Sequence, residues 1–177
     1  MRLLITGVPG CGKTALAKKI SKALKAKLAD VNGIVVENGF YSTSARKEKL
    51  VDLKKLERIL RKLLAKEGNI VIESHLLCEM PLPCDKIIVL RCNPLVLKKR
   101  LEKRGYPLWK VRENVLAEML DYCSIRVSEN YKKNEILEVN FTKPLSAGAV
   151  LRKKKGDRVE WMREFGVLER EVKGFFK

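Results

Sequence analysis

The chain has 177 residues, 46% of them apolar, and a formal net charge of +17. That length and apolar content suit one domain with a packed core and exclude a disordered tail. No apolar run approaches the ~18 residues of a membrane-spanning helix, and five odd-spaced cysteines lack a C-x-x-C pair, against a zinc site or a disulfide framework.

No secretory leader pattern is visible, so a cytoplasmic location without a membrane partner is expected, with the thiols small, buried and reduced. The positive charge exceeds what a nucleotide requires. It fits a polyanionic partner such as RNA, a solvated lysine surface or a heat-adapted protein.

Arg2 to Thr6 is a short apolar run stopped by glycine and reads as a buried strand. Ala15 to Leu28 places Leu16, Ile20, Leu24 and Leu28 on one helical face. Gly33 to Val36 is a strand candidate, and Glu37 to Arg46 reads as a loop. Leu50 to Lys66 is an amphipathic helix, followed by strand Ile70 to Ile72 ending in Glu73 and strand Lys86 to Leu90. Asn93 caps a helix with Pro94 at its first position, running to Lys103 and ended by Gly105. Pro107 opens a further helix to about Tyr131, and Ile136 to Phe141 is the last strand. From Pro144 the tail (144–177) reads as one or two helices split by Lys155 to Asp157.

Strands alternate with helices. The pattern predicts a three-layer α/β domain over 1–177: a five-stranded parallel sheet, first strand near its centre, flanked by helices.

Residues 7–14 read G-V-P-G-C-G-K-T, the G-x-x-x-x-G-K-[ST] pattern between a strand and a helix. Gly7, Gly10 and Gly12 let the backbone, Cys11 included, turn its N–H groups towards phosphates, and the following helix adds its positive end. Lys13 is expected between the β- and γ-phosphates of ATP, and Thr14 on Mg²⁺.

Glu73 ends a neighbouring strand, where an acid serves the metal; its alternative is to cap the next turn. His75, the single histidine, is a candidate to orient water or a phosphate. Arg100 and Arg104, in a basic segment before Gly105, suit a lid (about 98–112) that closes over the phosphates. Lys13, Glu73, His75 and Arg104 are thus the catalytic candidates.

The segment Arg100-Leu-Glu-Lys-Arg-Gly-Tyr106, with Glu113, Asn114 and Glu118, resembles the CINAP-type adenylate kinases, also called adenylate kinase isoenzyme 6. Glu73-Ser74-His75 matches that family's acid-x-His motif with glutamate for aspartate, and Leu90-Arg91 its strand end before the lid. The resemblance spans about residues 1–145 and implies a P-loop NTPase fold like that of the nucleoside-monophosphate kinases. It implies ATP plus AMP giving two ADP, ATP hydrolysis, and a role in small ribosomal subunit maturation beside a small-subunit platform ribosomal protein and pre-ribosomal RNA. It also implies an acceptor segment, about 37–66, with an arginine for AMP. Val35 to Ser44 contains none, and Arg46 is the nearest. Asp52 matches an acidic position of that segment.

Two other functions fit the same motifs: a small-metabolite kinase, and a ribosome-assembly ATPase whose nucleotide is a switch. In the tail, Arg152 to Lys155 is a basic run, and Trp161, Phe165, Phe175 and Phe176 suit either packing on the sheet or a basic aromatic surface for RNA.

Overall fold

The computed structural model describes residues 1–46, 48–164 and 166. Its elements are β1 (Arg2–Thr6), α1 (Lys13–Leu24), β2 (Lys27–Ala29), α2 (Val31–Glu37), β3 (Tyr41–Thr43), β4 (Lys49–Val51), α3 (Leu53–Lys66), β5 (Ile70–Glu73), β6 (Lys86–Arg91), α4 (Pro94–Lys103), α5 (Leu108–Met119), α6 (Tyr122–Asn130), β7 (Ile136–Asn140) and α7 (Ala147–Leu151). Two 3₁₀ turns, His75–Glu79 and Trp161–Glu164, complete them.

Leu3, Leu4 and Ile5 of β1 have no exposed surface, the mark of a strand covered on both faces. The sheet order is β2-β5-β1-β6-β7, all parallel, with β1 central as the alternation of elements requires. Helices flank it: α1 packs on β1 and β5 with α7 beside it, and α6 packs on β6 and β7. On α3, Leu56, Leu60 and Leu64 recur every fourth residue and are buried. Asp52 caps that helix by accepting from Lys55 N at 3.1 Å.

Four local expectations change. The first helix stops at Leu24 because Lys25 takes a left-handed φ of 48°, which frees Lys27–Ala29 to form the edge strand. Gly33 to Val36 lies in a helix rather than a strand: Asp30 caps it, accepting from Gly33 N at 3.0 Å. The segment 37–46, read as loop, contains β3, which pairs antiparallel with β4, so Leu50 belongs to a strand before α3. The helix expected from Pro107 to Tyr131 breaks at Asp121, whose φ of 55° separates α5 from α6. Of the tail, α7 and the turn at Trp161 are seen, whereas Phe165, Phe175 and Phe176 lie outside the described residues.

Candidate functional site

The loop from Gly7 to Lys13 leaves the end of the central strand and enters α1. Gly7 has φ 134°, and a Cβ there would stand 2.4 Å from Leu90 O, so this turn meets β6 backbone to backbone. Gly12 has φ 109° and a Cβ would stand 2.9 Å from Phe141 Cε1, which fits the entrance of α1 against the end of β7. The Lys13 side chain folds back over the loop. Its Nζ donates to Gly7 O at 2.9 Å and Val8 O at 3.1 Å.

Thr14 Oγ1 donates to Glu73 Oε1 at 2.9 Å, so the first turn of α1 and the tip of β5 present a hydroxyl and a carboxylate side by side. Capping of the next turn falls to Ser74, whose Oγ accepts from Leu76 N at 3.2 Å. Glu73 is thereby left to the site. His75 begins the turn, and its carbonyl accepts from the buried Thr6 hydroxyl at 3.4 Å. The side chain is exposed to the cleft's solvent, among the atoms that line the cleft. Burial and the charges of Lys13 and Lys110 push its pKa down to about 4, so the imidazole is neutral near pH 7.

A cleft of about 990 Å³ lies over these groups. Its floor is Gly10, Gly12, Lys13, Thr14, Glu73 and His75. One wall comes from α2, the β3–β4 hairpin and the start of α3: Asn32, Val35, Val36, Leu50, Val51 and Leu53. The opposite wall carries Arg104, Tyr106, Trp109, Lys110 and Asn114. Arg104 is the C-cap residue of α4, with Gly105 at φ 71° making the turn into α5.

The two walls touch. Arg46 stacks over the Trp109 ring at 5.0 Å and approaches Glu113 at 3.5 Å, and Lys110 Nζ pairs with Glu48 at 2.7 Å. Arg46, the nearest arginine to the expected acceptor segment, thus faces α5. Three cofactor candidates do not face this cleft. The Cys11 side chain has no exposed surface and lies under the loop. Arg100 donates to Thr142 O at 2.6 Å and reaches Cys92 Sγ at 3.3 Å and Cys11 O at 3.5 Å, tying α4 to the back of the loop. Gly7 turns against β6 beneath the floor.

Behind the cleft sits a buried charge cluster. Arg91, 2% exposed, donates through Nε to Glu118 at 2.8 Å, and its other nitrogens reach Asp121, Glu138 and Ser124. Glu118 also accepts from Cys92 N at 3.0 Å and from Trp161 Nε1 at 2.8 Å. Burial raises the Glu118 carboxyl's pKa against the pull of Arg91. Burial opposes the Arg91 charge, but Glu118 and Glu138 more than offset it and hold its pKa above the usual value.

Sequence reasoning missed Asn32, Trp109 and the Glu48–Lys110 pair. Trp109, set in a run of basic residues, was the one visible signal. Asn32 gives none, since only the Asp30 cap turns its helix towards the cleft.

Among known proteins, the AAA-domain family profile matches residues 3–121. A Methanocaldococcus jannaschii protein described as a putative adenylate kinase is 38% identical over 144 residues, covering 80% of this chain and 77% of that one. One of the same description from Saccharolobus solfataricus is 32% identical over 172 residues, covering 92% and 88%. Among solved structures, the YorR protein of Bacillus subtilis, in complex with phosphorylated GDP, aligns over 98% of each chain with a TM-score of 0.55 and 16% identity, a likeness of fold.

Proposed function

The chain belongs to the AAA-domain family and to the family of the archaeal proteins it matches, and on that premise we propose that it is an adenylate kinase, moving the terminal phosphoryl group of ATP to AMP. One observation carries the reading: a single cleft joins the P-loop lysine to an apolar wall with an amide at its edge, room for a phosphoryl donor and a purine acceptor together. In this reading residues 37–66 hold the acceptor, residues 98–112 are the lid, and 144–177 form the basic tail.

The roles follow from the atoms. Lys13 exchanges two loop carbonyls for phosphate oxygens, and the N-terminus of α1 adds its N–H groups. Arg104, from the lid side, stabilises the charge that builds on the moving phosphoryl group. Thr14 and Glu73 would hold a magnesium ion. A hydroxyl and a carboxylate 2.9 Å apart are the hard oxygen donors it takes, water and phosphate oxygens completing its shell. When bound, the ion supplies positive charge to the β- and γ-phosphates.

An AMP phosphate oxygen is already anionic and needs no base to attack. Water must be aimed at the phosphorus, and the neutral His75 imidazole is a group to orient it, so this reading assigns ATP hydrolysis to the same site. The +17 charge supports work in an RNA-rich setting, which agrees with a role in small ribosomal subunit assembly beside a platform ribosomal protein.

An acceptor screen with γ-labelled ATP tests the reading. AMP is expected to take label ahead of GMP, CMP and UMP. Label passing instead to a sugar or a hydroxy acid would make the chain a small-metabolite kinase.

A further inference from the structure

Cys78 lies in the 3₁₀ turn that carries His75, and Cys123 in the first turn of α6. Their Sγ atoms are 3.9 Å apart, and the residues are 1% and 5% exposed. The two elements are already held in register around them. Asn130 Nδ2 donates to Cys78 O at 2.8 Å, the Tyr131 hydroxyl donates to Met80 O at 2.7 Å, and Arg126 Nε donates to Glu79 at 3.1 Å.

A disulfide needs the sulfurs at about 2.0 Å, so the 3.9 Å gap must close by roughly 2 Å. The geometry points to a modification site: Cys78 and Cys123 form an intramolecular disulfide that staples the cleft-floor turn to α6.

The bond forms by thiol exchange with a small disulfide such as glutathione disulfide. One thiolate attacks a sulfur of the oxidant and releases the first glutathione. The second thiolate attacks the mixed disulfide and releases the other. Two S–H bonds are lost, one S–S bond is gained, and two electrons pass to the oxidant, which leaves as two reduced molecules. The Cys123 thiol is pushed above its ordinary range by its contact with Cys78 and by burial, so exchange in the folded protein is slow and the bond closes as the chain folds. Once closed, its burial shields it from reductants. Linking positions 45 residues apart restricts the unfolded chain considerably.

The test is oxidative refolding. The full chain is unfolded in guanidinium with reductant, then refolded in a glutathione buffer, alkylated and mapped by peptide mass spectrometry. Cys78→Ser, Cys123→Ser and, as a control, Cys84→Ser are treated alike. The wild type and Cys84→Ser are expected to yield the linked 78–123 peptide, to retain three and two alkylatable thiols respectively, and to melt at least ~5 °C higher oxidised than reduced. Both other variants should lose the link and the shift. Should either fail to fold, the wild-type peptide map decides alone. Five alkylated cysteines in the refolded wild type, or a bond joining Cys11, Cys84 or Cys92 instead, would overturn the proposal.

Discussion

In the proposed reading the phosphate chemistry turns on Lys13, whose ammonium the loop holds at the cleft floor. Lys13→Ala is expected to lower turnover at least ~10²-fold while the melting temperature changes little, a loss typical of removing one fixed electrostatic stabiliser; steady-state kinetics and a thermal melt check both parts. His75 offers a second test because the sequence holds one histidine, so its ring gives one resolved NMR titration. Without nucleotide the midpoint is expected near pH 4, and ATP, bringing negative charge, should move it up. The sign for stability follows. Between pH 6.5 and about 4 the unfolded histidine binds a proton that the folded one refuses, so this group makes the protein less stable as pH falls through that window. An apo midpoint at 6.5 would remove the basis for a neutral imidazole held by its surroundings.

The buried Arg91 cluster belongs to the scale of elements, since it joins β6, α5, α6 and β7 through one guanidinium. It also explains the break in the long helix: Asp121 sits at a left-handed turn with its carboxylate on Arg91. Arg91→Met is expected to cost roughly 3–5 kcal/mol, because Glu118 would remain buried without its cation; chemical denaturation reads the loss. A variant as stable as the wild type would show that the cluster has no part in holding these elements together. The central strands and the capped helix at Asn93 were legible from apolar runs and cap chemistry alone. The short elements were not. Tyr41–Thr43 and Lys49–Val51 are three-residue strands that exist only by pairing with each other, and α2 depends on the Asp30 cap overriding its β-branched residues. Of the site, the P-loop and the Glu73–His75 pair were readable because local spacing encodes them. The place of Arg100 behind the loop was not readable, because Thr142 O, which it donates to, is 42 residues away in sequence.

For the whole molecule, the sheet places two walls around one floor, and the walls meet through Arg46 with Trp109 and Glu113 and through Glu48 with Lys110. Such exposed or half-exposed pairs are individually weak, so they can open and reform as substrates pass. The measurement nearest the central claim is a product balance: purified protein with ATP and Mg²⁺, with and without AMP, nucleotides and free phosphate quantified together. The account expects AMP to be consumed, two ADP to appear for each AMP lost, and ADP to exceed free phosphate only when AMP is present. Equal ADP and phosphate, unchanged by AMP, would contradict it and leave an ATPase in place of an adenylate kinase.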